Sequence, residues 1–100
     1  MNLDDLRHEI DAIDEELVEL FIKRMGLSLK VAEYKKENHL PVLNPERERE
    51  ILNKVSDKVS AKAGAELDAY AKTFFNTLFD VSRSYQKLFL ENARNRSGSK

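Results

Sequence analysis

The apolar positions from Leu3 to Tyr34 keep a seven-residue rhythm: Leu3, Leu6, Ile10, Ile13, Leu17, Leu20, then Leu27, Val31 and Tyr34. Steps of three and four put these side chains on one stripe of an α-helix. The pattern predicts a first helix from about Leu3 to about Glu37, roughly 50 Å long at the α-helical rise. Gly26 is its weak point, at about 1 kcal/mol against alanine, yet the stripe stays in phase across it. Pro41 and Pro45 bracket the one clear break, so Asn38 to Leu43 reads as a connection. Asn44-Pro45-Glu46 is a helix start, with Asn as N-cap, Pro at the first helical position and an acid in the first turn. This second helix carries Ile51, Leu52 and Val55 and fades before Gly64. A third helix is expected from near Ala65 to about Ala93, its main stripe being Leu67, Tyr70, Phe74, Leu78, Val81, Tyr85 and Leu88. Residues 1–94 then form one all-α domain of long, short and long helices, followed by a frayed tail over 95–100.

Two shorter helices of the same chain cannot cover a stripe that runs the full length of the first. The nearest source of another long helix is a second copy, so the pattern predicts an obligate, intertwined homodimer.

Composition narrows the chemistry. The 100 residues suit a single domain. The 17 basic and 18 acidic side chains leave a formal charge of -1, which provides no general field for nucleic acid or an anionic membrane. Any anion site must be built locally. Cysteine is absent, which excludes disulfide and thiol chemistry, and the acidic, amphipathic N-terminus is unlike a signal peptide. The expected setting is cytoplasmic.

The informative positions are those where a polar residue interrupts an apolar face. Arg24 is the one charge within the stripe of the first helix. Burying an unpaired guanidinium costs several kcal/mol, so Arg24 either meets an anion or packs its stem and sends its head to water. On the third helix a second row runs Phe75, Phe79, Ser82, Gln86 and Leu90. Ser82 and Gln86 point the same way from within it; they are either site residues or a polar pair satisfied by backbone and water. Lys35 lies three turns beyond Arg24 and about 40° around the helix, near enough to converge with it on a small dianion, though taken alone an ordinary solvated lysine is the favoured reading. Arg7 is about 25 Å from Arg24 along the helix, too far to share a small ligand. In an antiparallel dimer crossing near Val18, the partner's Arg7 reaches the interval between Arg24 and Lys35. An exposed helix-start arginine remains the alternative. Arg47-Glu48-Arg49-Glu50 reads first as a solvated face. His8 and His39 stand without metal-ligand spacing, and no nucleophile triad, phosphate loop or carboxylate pair is present.

Taken together, Leu6-Arg7-His8-Glu9-Ile10-Asp11-Ala12-Ile13-Asp14, Arg24, Val31-Ala32-Glu33-Tyr34-Lys35, Pro41-Val42, Arg47-Glu48-Arg49-Glu50-Ile51-Leu52 and Ser82 with Gln86 make a specific set. In order and spacing the chain resembles the small all-helical chorismate mutases, including mutase domains fused to prephenate dehydratase or dehydrogenase. The resemblance covers nearly all of residues 3–93. It implies three helices per chain, two chains interlocked through their first helices, and rearrangement of chorismate to prephenate without metal or cofactor. It further implies that Arg24 of one chain and Arg7 of the other clamp the substrate carboxylates. Lys35 and Gln86 would then donate to the ether oxygen as its bond breaks, and Glu48 would take the ring hydroxyl. Ser82 and Arg47 would support the carboxylates or orient the clamps, and Val31 and Val81 would be apolar walls.

Asn44 departs from the pattern, since better-known relatives carry aspartate there. Asparagine keeps the cap but drops a charge, so no direct catalytic role is assigned to it. Gln86 stands where some relatives use a glutamate that must be protonated to donate; a glutamine donates without that requirement. Two other readings stay open on residue types alone: an isochorismate-pyruvate lyase on the same scaffold, and a non-catalytic helical dimerisation or regulatory module. The last should have lost some clamp residues, yet Arg7, Arg24, Lys35, Glu48, Ser82 and Gln86 are all present.

Overall fold

The capping residues set the element boundaries. In the computed structural model, which describes residues 2–98 and the side chains of 2–96, α1 spans Leu3–Glu37, α2 Pro45–Ala63 and α3 Ala65–Gly98. Asn2 opens α1 as a capping box: its side chain accepts from the Asp5 amide at 2.9 Å, and the Asp5 carboxylate accepts in return from the Asn2 amide. Asn44 does the same for α2 in simpler form, accepting from the Arg47 amide at 3.2 Å with Pro45 in the first turn. A single residue, Gly64 at φ 94°, separates α2 from α3; that backbone region favours glycine. The third helix continues past Ala93 to Gly98. The tail expected over 95–100 is therefore helical as far as Gly98, and Ser99 and Lys100 lie outside the described residues.

The end of α1 is closed by a Schellman arrangement. The Leu40 amide donates to the Lys35 carbonyl at 2.7 Å and the His39 amide to the Lys36 carbonyl at 3.2 Å. His39 takes the left-handed conformation this requires, with φ 55°. The closure turns the chain back so that the Val42 carbonyl faces Lys35.

α3 is the common partner, packing against both α1 and α2. The small core lies where α1 and α3 cross: Met25, Ala32 and Phe79 are buried, and so are Ser82 and Gln86. The second row of α3, with Phe75 edge-on to Phe79 at 6.2 Å, thus makes the contact within the chain. The main stripe is left outward, with Leu67, Tyr70, Phe74, Val81, Tyr85 and Leu88 all exposed.

Only the C-terminal part of α1 is covered. Every residue from Asn2 to Lys23 is exposed, including Leu6, Ile10, Ile13, Leu17 and Leu20. The molecule extends 61 × 31 × 15 Å. Its radius of gyration is 17.6 Å, against about 13 Å for a compact chain of this length. It exposes 8243 Å², where a folded chain of its mass exposes about 5,800 Å².

A non-glycine residue at the left-handed closing position carries a steric cost. His39→Gly is expected to raise stability by about 0.5–1 kcal/mol, read as a higher denaturant midpoint. A lower midpoint would mean that the imidazole contributes more than its backbone strain costs.

Candidate active site

A cleft of about 340 Å³ opens where the three helices meet. Its floor is the α1–α3 crossing. Arg24 donates from Nη1 to Ser82 Oγ at 2.9 Å, and its guanidinium lies 6.0 Å from the centre of the Phe79 ring. The interruption of the apolar stripe is therefore neither unpaired nor simply sent to water. It is anchored on a buried hydroxyl and an aromatic face, and it lines the cleft. The Ser82 hydroxyl also lies 3.7 Å from Met25 Sδ.

Gln86 is one turn further along the same row. Its Nε2 donates to the Ser28 carbonyl at 2.8 Å, within α1. That carbonyl belongs to a turn in which Ser28 Oγ also bonds the Met25 carbonyl, at 2.7 Å. A primary amide has two N–H donors; tying one to Ser28 fixes the rotamer and leaves the other for a ligand. Lys35 is held at the opposite end, donating from Nζ to the Val42 carbonyl at 2.8 Å. An ammonium keeps two further donors.

The third side comes from α2. Asn44, Arg47, Glu48 and Ile51 line the cleft, together with Leu27, Val31 and Val42. Asn44 accepts at the helix cap, in keeping with a structural task. Arg47 leans to the outer lip, donating to Glu50 at 2.7 Å with more than half of both side chains exposed. Lys54, hydrogen-bonded to the same carboxylate at 3.2 Å, and then Arg47 hold the Glu50 carboxyl below the ordinary carboxylate range. Glu48 faces inward, half-buried and ion-paired with Arg83.

Of the expected site residues, Arg24, Lys35, Arg47, Glu48, Ser82, Gln86 and Val31 share this cleft. Arg7 does not line it; it is exposed near the far end of α1, about 25 Å from Arg24 along the axis. Val81 does not line this cleft either. It lines a different groove with Met25, Tyr85 and Leu88, because one residue step turns about 100° around a helix. The apolar wall from α3 is Phe79. Its membership of the row Phe79, Ser82, Gln86 was the available signal, and Val81 lies on the other stripe. Arg83 was missed as well: positions 79, 82, 83 and 86 form one helical face, which puts this cation at the cleft.

The chorismate mutase type II family matches residues 6–87. The chain belongs to that family. The chorismate mutase of Methanocaldococcus jannaschii is 30% identical over 95% of this chain and 94% of its own length. The bifunctional chorismate mutase/prephenate dehydratase of Aquifex aeolicus is 47% identical over 53% of this chain, and the T-protein of Haemophilus influenzae 50% identical over 46%. The matched regions make up only 15% and 12% of those two longer proteins. No solved structure gives a significant match.

Arg24→Leu completes the apolar stripe while leaving the Ser82 hydroxyl able to bond a carbonyl of its own helix. Its thermal midpoint is expected to equal or exceed that of the native protein, as read by circular dichroism. A loss of more than about 1 kcal/mol would mean that the arginine is a structural bolt between α1 and α3.

Proposed function

We propose that the protein is an isomerase that converts chorismate to prephenate by a one-step intramolecular [3,3] rearrangement, acting as an antiparallel homodimer. The observation that carries this reading is the convergence of Arg24, Lys35, Gln86 and Glu48, from three helices, on one cleft of a size suited to a small ligand.

The substrate is a dianion whose enolpyruvyl arm must fold over its ring before reaction. Holding both carboxylates selects that near-attack shape and removes much of the entropic barrier. Arg24, aimed by Ser82 and Phe79, clamps one carboxylate through its planar fork. The partner's Arg7 clamps the other. As the ether C–O bond breaks and the new C–C bond forms, negative charge grows on the ether oxygen. Lys35 and the unspent N–H of Gln86 donate there, an interaction that strengthens in the transition state. Glu48 accepts from the ring hydroxyl, and Arg47 supports a carboxylate from the lip. Because bonds break and form within one molecule, no nucleophile is required.

The second copy is supported by surface. The chain exposes 8243 Å², roughly 2,400 Å² beyond the expectation for its mass, and the excess includes the uncovered stripe of α1. An ordinary complex buries about 800 Å² per partner, so an excess of this size suits an obligate interface. Pairing the α1 helices antiparallel about Val18 covers the stripe and carries each Arg7 toward the other chain's cleft.

Loss of chorismate absorbance with formation of prephenate by the purified protein tests the activity. Pyruvate released from isochorismate instead would identify a lyase. For the shared site, Arg7→Ala and Arg24→Ala homodimers should each be nearly inactive. Unfolding and refolding them together at random should restore about a quarter of the native rate, since half the dimers are mixed and each has one intact site. Heterodimers that form and recover nothing would sink the shared-site arrangement.

Glutamine does not titrate, so its donation should persist across about pH 6 to 8. In Gln86→Glu the side chain can donate only when protonated, and its one O–H then serves the substrate only by giving up the Ser28 bond. The variant's kcat/KM should therefore climb as pH falls, while the native value changes little. Parallel pH profiles would show that position 86 does not donate to the reacting oxygen.

A further inference from the structure

Arg83 is a cation at the cleft to which the proposed reaction assigns no task. It occupies the same face of α3 as Phe79, Ser82 and Gln86. From that face Nη1 donates to Glu48 Oε2 on α2, and Nη2 donates to Asp80 Oδ1 one turn back on α3. The three side chains differ in exposure: Glu48 is 25% exposed and Arg83 29%, whereas Asp80 is 72% exposed. The pairing thus runs from solvent inward, with Glu48 at its inner end.

Glu48 presents an electrostatic problem. It is the one carboxylate among residues that line the cleft, beside Arg24, Lys35, Arg47 and Arg83. A bare carboxylate repels a dianion, and the repulsion grows in a partly desolvated site. As an acceptor for the ring hydroxyl, it must offer a lone pair without imposing its full charge on the substrate carboxylates. Arg83 provides both conditions. It pairs with Oε2 and leaves Oε1 for the hydroxyl. It also sets a compensating positive charge directly behind the carboxylate. Asp80 steadies the guanidinium from the solvent side.

We propose that Arg83 is a positioning residue that aims Glu48 and neutralises it toward the dianionic substrate. This rests on the reading of Glu48 as the hydroxyl acceptor. Because the hydroxyl does not take part in bond making or breaking, the effect belongs to binding, and it should appear in KM rather than kcat.

The test is a double-mutant cycle in steady-state kinetics on the dimer, with Arg83→Leu, Glu48→Gln and both together, and Arg83→Lys as the conservative variant. Arg83→Leu is expected to raise KM by about tenfold while changing kcat less than about threefold. In the Glu48→Gln background, the same substitution should change KM by less than about twofold, because its target is already uncharged. Arg83→Lys should recover most of the lost affinity. Thermal midpoints of all variants separate a folding defect from a binding defect; should Arg83→Leu not fold, Arg83→Gln completes the cycle.

Equal KM penalties for Arg83→Leu in both backgrounds would overturn the proposal and make Arg83 an independent ligand of the substrate. So would a silent Arg83→Leu beside a damaging Glu48→Gln. A silent Glu48→Gln would instead remove the hydroxyl-acceptor reading beneath it. Native protein inactive on chorismate would remove the function itself.

Discussion

An α-helix of 35 residues runs about 50 Å, and the remaining chain of this protein has too little apolar surface in the right place to cover it. The consequence appears throughout. α3 packs its second row on the C-terminal part of α1, α2 lies against α3, and the whole is only 15 Å deep along its shortest axis. Residues 2–23 are all exposed. The cleft forms at the one place where all three helices come together, and the cation at the far end of α1 is stranded from it. The divided site proposed above would be a geometric outcome of helix length, since the proposed dimer resolves exposed stripe and stranded cation together.

The polar side chains at the crossing serve the fold as well as the cleft. Buried polar groups must find partners or cost stability, and here the partners lie across the helix pair: Ser82 with Arg24, Gln86 with the Ser28 carbonyl. These bonds pair particular positions of α3 with particular positions of α1, whatever their net worth to stability. The same register brings Arg24 and Lys35 of α1 alongside Ser82 and Gln86 of α3. These cleft side chains are accordingly positioned by helices and by fixed partners rather than by loops. Lys35 is restrained in a like manner, by a carbonyl presented by the Schellman closure of α1.

Local signals in the sequence were sufficient for the elements. Asn44-Pro45 and Gly64 mark ends through capping and backbone chemistry that acts over a few residues, and the structure has them there. The cation in the stripe and the two polar residues of the second α3 row were also legible, since each violates an apolar pattern. What could not be read depends on how helices face one another. Val81 and Phe79 are both apolar, and only the crossing decides which stripe packs inside the chain. Arg83 breaks no pattern, because a charged residue beside Asp80 looks like a solvated helical pair. Its link to Glu48, 35 positions earlier, exists only once α2 and α3 lie together. The extension of α3 to Gly98 was missed because residues 94–98 carry no apolar periodicity.

The uncovered half of α1 has a kinetic meaning too. An isolated helical stretch is marginal in water, and its capping box satisfies only the first turn. Among the described residues that half is exposed throughout, so in the proposed dimer the rod would be completed as two copies meet. In the proposed dimer, folding and association would be one bimolecular event, and the population of folded protein would depend on how much of it is present. Dilution, as much as heat or denaturant, would then set the limit of its native state.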